Sequence, residues 1–315
     1  TAATCVRIFT GAALPYGADC VAMQEKVRVE NNNKVQIPKT FSGMNVRQKG
    51  EDYKKGDCLL EKGTCLRSAH LAIAASVGET ELSVYHQPRT VILSSGDELV
   101  PPNVIPSSHQ IRDANTLLLE SLVRKDGGKI LSSSLLPDDY QQLQTHLQKA
   151  VESKADLILF SGGASVGEKD FTKKLLQEHG FQIHFDQINV RPGKPLIFAT
   201  RQATVAFGIP GNPVSALVCF YLFIHLAIKR MQRTRDELCL FNSPLGQDFN
   251  YSSCSRETFW PAQWRSLGNN IQIFPLPWQG SGHIASLANA NALMQIPSGV
   301  SGPFVKGHSF SWIPL

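Results

Sequence analysis

The sequence predicts an α/β multidomain protein in which a parallel-sheet α/β domain is flanked by β-rich domains. Three observations carry this. From Arg89 to Arg235, short apolar runs alternate with helical periods, the pattern of βαβ units. Those runs are continuously apolar, as strands buried on both faces require. Outside them, 1–50 holds short strand-like runs broken by Gly, Pro and Asn, and 236–315 loses the helical period in favour of short strands, Trp and Pro.

The elements follow in order. Residues 20–23 and 26–29 read as strand-like, Asn31-Asn32-Asn33 as a turn, and 34–37 alternates like a half-buried strand. A helix is expected from Ser68 to Val77, with Ser68 as a plausible N-cap. Val91-Ile92-Leu93 is a strand, and 115–125 a helix with Leu118, Leu119, Leu122 and Val123 inward. Residues 130–136 form a strand. The next helix places Leu143, Leu147, Ala150 and Val151 on one face. Leu157-Ile158-Leu159-Phe160 is a strand, a helix carries Phe171, Leu175 and Leu176, and Val205-Ala206-Phe207 is a strand. The apolar stretch 214–228 contains Ser215, Tyr221 and His225. It is shorter than the ~18 residues of a membrane span and reads as a buried helix.

Composition bounds the function. The 315 residues are 42% hydrophobic and 18% charged, with 24 Gly and 18 Pro, which excludes a collagen, a coiled coil and a disordered chain. Lys and Arg number 31 against 26 Asp and Glu, for a formal net charge of +5. That suits a small anionic ligand and does not argue for nucleic acid, which wants dense basic stripes. The cluster from Lys229 to Arg235 reads as a solvated helix end. Seven Cys form no CxxC and no zinc spacing, so a reducing cytoplasm is the default. No signal peptide opens the chain. It begins Thr-Ala-Ala-Thr without Met and is expected to be N-terminally incomplete.

In an open α/β sheet, ligands bind beyond the carboxyl ends of the strands. That places four loops on one edge: 94–98, 136–139, 161–170 and 208–215. They carry acids, hydroxyls and Gly-opened amides, a mixture suited to phosphate held through a divalent metal. Each has a plainer reading. Asp97 or Glu98 would simply occupy a polar turn, Asp138 would cap a helix, Gly162-Gly163 would make a tight turn, and Asn212-Pro213 would start a helix. Their convergence favours a site. Arg191-Pro192-Gly193-Lys194-Pro195 is a rigid turn bearing two cations, an anion clamp in its sharper reading. No Walker loop, no GxGxxG after a strand, no HExxH and no GxSxG occurs.

Taken in order, the motifs resemble the molybdopterin molybdenumtransferase family (MoeA, and the E domain of gephyrin). They are Arg7-Ile8-Phe9-Thr10-Gly11-Ala12 with Leu14-Pro15 and Gly17-Ala18-Asp19; Arg47 with Gly50-Glu51-Asp52; Ser95-Gly96-Asp97-Glu98-Leu99; and Ile111-Arg112-Asp113-Ala114-Asn115. Ser161-Gly162-Gly163-Ala164-Ser165-Val166-Gly167 through Asp170, Pro192-Gly193-Lys194-Pro195 and Pro210-Gly211-Asn212-Pro213-Val214-Ser215 follow. Gly280-Ser281-Gly282 with 286–291 closes the set.

The resemblance implies a chain divided as 1–54 (an inserted β-rich domain), 55–88 (the returning first α/β domain), 89–235 (a molybdopterin-binding α/β domain) and 236–315 (a C-terminal β domain). It implies that adenylylated molybdopterin plus molybdate gives molybdenum cofactor plus AMP. It further implies Mg2+ as cofactor and an elongated homodimer, with the pterin adenylyltransferase and molybdoenzyme apoproteins as further partners, and no nucleic acid or membrane. The family's functional positions fall on Thr10, Asp52, Glu98, Asp138, Asp170, Lys194, Pro210, Pro213, Ser215, Arg256 and Ser281. Asp52, Glu98, Asp138 and Asp170 are then catalytic, with Glu98 and Asp170 on the metal. Thr10, Arg191, Lys194, Pro210, Pro213, Ser215, Arg256 and Ser281 bind substrate. Arg191 stands where the family often has Lys, Gln187 replaces a basic residue, Ala114 a Ser, and Gly282-His283 a Ser-Arg pair. A non-catalytic scaffold on the same fold is the alternative; retention of all four acids favours the enzyme.

Overall fold

The computed structural model describes residues 4–31, 34–162, 171–234, 238–268 and 270–315. It divides into two compact units, 1–62 with 68–73, and 63–67 with 74–315.

In the first unit, Arg28–Asn31 pairs antiparallel with Lys34–Gln36, and Gln24–Lys26 forms a 3-10 turn. Residues 20–23, expected to be strand-like, form no strand. The backbone of Val21 is instead satisfied by a turn, its N–H donating to the Met44 carbonyl at 2.9 Å and its carbonyl accepting from Asn45 Nδ2 at 2.7 Å, and none of this unit's described residues is buried. The helix Ser68–Ser76 starts on Ser68 itself.

The second unit is built on β1 (Arg89–Ser95), α1 (Asn115–Lys125), β2 (Lys129–Leu136), α2 (Tyr140–Glu152), β3 (Leu157–Ser161), α3 (Phe171–Glu178), β4 (Gln182–Phe185), β5 (Ile197–Arg201), β6 (Thr204–Ile209) and α4 (Pro213–Met231). The sheet order is β2-β1-β3-β6-β5-β4. The first four strands are parallel, and β5 and β4 add antiparallel.

Strand side chains alternate between faces, and the core divides accordingly. Ile92 of β1 packs with Leu119 and Val123 of α1 and with α4. Its neighbours Val91 and Leu93 pack on the other face with Leu143 and Leu147 of α2 and Leu175 and Leu176 of α3. Helix α4 is long and apolar enough to cross a membrane, but 61% of its apolar window is buried inside the protein. It is a core helix, interrupted by a π turn over Phe220–Ile224.

The C-terminal sheet comprises β7 (Phe241–Pro244), β8 (Glu257–Leu267), β9 (Asn270–Pro275), β10 (Ala292–Ile296) and β11 (Ser309–Pro314), antiparallel in the order β7-β11-β10-β8-β9. A two-residue strand from the α/β domain, Val190–Arg191, joins it in parallel, with Val190 opposite Glu257 and Arg191 opposite Thr258. Phe259, Leu293 and Ile313 of this sheet share one core with α1 and α4.

A candidate anion site at the strand ends

The four parallel strands end on one edge. β1 runs into Gly96, where an added Cβ would lie 2.9 Å from Glu98 Oε2 and 2.9 Å from Leu99 Cγ. The missing side chain therefore lets Glu98 fold back over the turn. Asp97 and Glu98 are exposed there. Asp97 Oδ1 accepts from the Asp138 backbone N–H at 3.0 Å, tying the first loop to the second. The helix cap lies one residue beyond the expected position. Asp139 caps α2, its Oδ1 accepting from Gln142 N–H at 2.7 Å. The Asp138 carboxylate is thus spared from capping.

β3 ends at Ser161-Gly162. Gly162 has φ +90°, and a Cβ there would sit 2.3 Å from the Ser95 carbonyl oxygen. Only glycine lets these two strand ends approach so closely. Gly163 to Asp170 lie outside the described residues, and with them the candidate acid Asp170.

β6 leads through buried Pro210 to Asn212, which stands at the N-cap position of α4 with Pro213 in its first turn. The Asn212 side chain makes no capping bond. Ser215 is buried, and the Val214 N–H donates to the Ser281 carbonyl at 3.1 Å. Pro210, Pro213, Ser215 and Ser281 are therefore gathered around the start of α4.

One residue that sequence reasoning passed over stands among these loops. Asn115, the first residue of α1, is buried. Its Nδ2 donates to Ser161 Oγ at 3.0 Å and to the Gly211 carbonyl at 2.7 Å, while its Oδ1 has no partner. The signal available was its place in Asp113-Ala114-Asn115 at a helix start. Asp113 itself accepts from the Thr116 N–H at 3.1 Å and from the Thr116 hydroxyl.

Two of the expected cations, Arg191 and Arg256, come together where the α/β domain meets the C-terminal sheet. Pairing of Val190–Arg191 with β8 brings the neighbourhood of Arg256 alongside, and Arg256 Nη1 donates to the Val190 carbonyl at 3.1 Å. The Arg191 guanidinium lies 5.6 Å from the centre of the Trp278 ring. Partial burial pushes the Cys254 thiol up. The Arg256 backbone N–H, a hydrogen bond from Arg191 and the two guanidinium charges outweigh that, so the thiol is held below its ordinary value. Lys194 is exposed, with its carbonyl fixed by the Ile188 N–H at 2.9 Å. Thr10 and Asp52 belong to the first unit; both are exposed, and Asp52 pairs with Arg47.

The acids present are hard oxygen donors of the kind Mg2+ takes. Among the described residues, however, no three His, Cys, Asp or Glu side chains gather as a metal cluster.

A mixed α/β sheet with glycine-turned ends on its parallel strands, joined to an antiparallel β domain through the pairing of Val190–Arg191 with β8, defines a multidomain α/β protein. The chain matches family models described as "MoeA N-terminal region (domain I and II)" over residues 1–78, "Probable molybdopterin binding domain" over 91–230 and "MoeA C-terminal region (domain IV)" over 246–315. It is 35% identical over 301 residues to a molybdopterin molybdenumtransferase of a Nostoc species, covering 93% of this chain and 68% of that protein. The chain belongs to the molybdopterin molybdenumtransferase family. It is 41% identical over 230 residues to a Haemophilus influenzae protein of the same name, across 72% of this chain and 56% of the relative's length. The crystal structure of the molybdopterin biosynthesis MoeA protein from Pyrococcus horikoshii superposes with a TM-score of 0.76 at 26% identity, covering 98% of this chain and 74% of that one.

Proposed function

We propose that the chain inserts molybdenum into molybdopterin, converting adenylylated molybdopterin and molybdate to molybdenum cofactor and AMP. The observation that carries this is the unbroken order of all three family regions along one chain. The geometry supports it in two ways. Open loops at the strand ends, pinned by Asn115, offer the edge on which an α/β sheet binds its ligand. Beside them, Arg191 and Arg256 supply charge-assisted donors for molybdate or phosphate oxygens.

In this reading Arg191, Lys194, Ser215, Arg256 and Ser281 hold anionic oxygens, and Thr10, Pro210 and Pro213 complete the substrate surface. Asp52, Glu98 and Asp138 position water, as does Asp170. Mg2+ belongs to the proposal, on Glu98 and Asp170; bound there, it would neutralise charge on the phosphate oxygens. A cytoplasmic homodimer is the proposed form. Exposed Phe9, Tyr16 and Phe41 on the first unit are consistent with a surface that another protomer covers.

Single-turnover release of AMP from adenylylated molybdopterin, with and without molybdate, tests the reading. We expect release in the unaltered chain. Glu98→Gln keeps the shape and removes the charge, and should bind the substrate but release AMP at least tenfold more slowly, about 1.4 kcal/mol of barrier. Release at the same rate in the variant would reduce Glu98 to a turn residue, and no release from either would remove the activity.

A further inference from the structure

The first turn of α1 holds the ends of three parallel strands at once. Near the end of β1, Ser94 Oγ and Thr116 Oγ1 lie 2.6 Å apart. The Thr116 hydroxyl donates to Asp113, so Ser94 is the donor of that pair. At the end of β3, Ser161 Oγ accepts from Asn115 Nδ2 at 3.0 Å. In the turn after β6, the Gly211 carbonyl accepts from the same nitrogen at 2.7 Å. A Cβ added to Gly211 would lie 3.7 Å from the Gly162 Cα, so these last two segments run within van der Waals reach of each other.

The chemistry of Asn115 suits that place. One amide nitrogen carries two hydrogens in a fixed plane and no charge. It can hold two oxygens at a set angle in a dry site, where lysine or arginine would bury a charge. Asn115 and Ser161 are both buried. Asn115 Oδ1 is left without a partner, a cost that a residue selected for stability alone would avoid. What the residue retains is the geometry of its two donors. Gly211 leads directly into Asn212 and Pro213, where α4 begins, and Ser161 is the last residue of β3. Through its two bonds Asn115 therefore sets the start of α4, with the candidate ligands Pro213 and Ser215, against the end of β3.

We propose that Asn115 is a positioning residue for the substrate edge: acting through Ser161 and Gly211, it fixes the spacing between the end of β3 and the start of α4, and with it the affinity for the substrate. The inference rests on the reading of this edge as the binding site for adenylylated molybdopterin, and adds a residue that acts without touching the ligand. Small displacements of the groups that hold a substrate carry large penalties, which is why a buried bridge between two loops can matter to binding.

Binding of adenylylated molybdopterin to the full chain is titrated by calorimetry in the unaltered protein, Asn115→Ala, Asn115→Asp and Thr116→Val, under conditions in which circular dichroism shows each to be folded. Asn115→Asp keeps the shape and lets Ser161 donate in its turn, but in mildly alkaline buffer its carboxylate offers nothing to the Gly211 carbonyl. Thr116→Val disturbs the same helical turn, taking a partner from Ser94 and Asp113 while leaving both bonds of Asn115 in place. The expected result is a roughly tenfold weaker affinity in both Asn115 variants, the scale of a buried carbonyl left unpaired. Thr116→Val should be less stable yet bind as the unaltered protein does. If Asn115→Ala does not fold, Asn115→Asp carries the test, and failure of both to fold would make the residue a structural one and overturn the proposal. Folded Asn115 variants that bind normally also overturn it. So does equal weakening in Thr116→Val, which would show that any loosening of the helix start acts alike. An unaltered chain that does not bind overturns both this inference and the reading of the edge, whereas one that binds without releasing AMP removes only the proposed activity.

Discussion

Cys254 sits between opposing influences. Burial disfavours its thiolate, while the Arg256 N–H and the guanidiniums of Arg191 and Arg256 favour it and win. Alkylation requires the thiolate, so a lowered pKa moves the rise in rate to lower pH. Iodoacetamide should therefore modify Cys254 at a lower pH than it modifies an ordinary free thiol such as cysteine in solution, as followed by peptide mass spectrometry. If the proposed clamp holds molybdate, its negative charge would favour the neutral thiol, and adding molybdate should slow modification. A pH profile for Cys254 identical to that of the free thiol would contradict the assignment. At this scale the sequence was only partly legible. Chemistry-bearing types were readable at Glu98 and Arg191, because charge in a glycine- or proline-framed turn is a local pattern; Arg256, among serines and a threonine, was picked out only by the family resemblance. Asp138 and Asp139 were separable only by the helix register, which gave the cap to Asp139. The contact between Arg191 and the Trp278 ring carried no local signal at all: the two residues lie 87 positions apart in sequence.

Among elements, legibility followed burial. β1, β3 and β6 are central strands with continuous apolar runs, and the helices α1 and α2 show clear stripes. Both patterns are visible in sequence because one repeated environment dictates them. The antiparallel strands β4 and β5 and the short strand Val190–Arg191 were not read. β4 is at the sheet edge and only partly buried, and Val190–Arg191 owes its strand character to a partner in another domain. The loops between elements depend on single side chains. Asn115 binds the end of β3 and the turn after β6 to the start of α1. Asn115→Ala removes both donors and leaves a buried hydroxyl and a carbonyl unanswered. It should cost about 1–3 kcal/mol, read as a lower midpoint of urea unfolding with an unchanged m-value. An unshifted midpoint would mean that water replaces the amide without loss.

The two units differ sharply in packing. The second contains three apolar clusters, whereas no described residue of the first is buried, and Val6, Phe9, Tyr16 and Phe41 are more than two-thirds exposed. Local opening free energy follows buried apolar contact. Limited proteolysis of the isolated chain should therefore cut first within residues 4–73 and leave 74–315 resistant. Early cleavage inside the α/β sheet would show the reverse order of stability. The larger body has a further property, set by the way Val190–Arg191 belongs in sequence to one sheet and in hydrogen bonding to the other. A connection of this kind has no hinge. Opening it would break a strand ladder and expose the core that Phe259, Leu293 and Ile313 share with α4. The backbone segments that carry the two arginines are therefore fixed relative to one another. Capture of molybdate between them would then be a one-step encounter, with no gate to wait for and an observed rate that climbs linearly with concentration instead of levelling off.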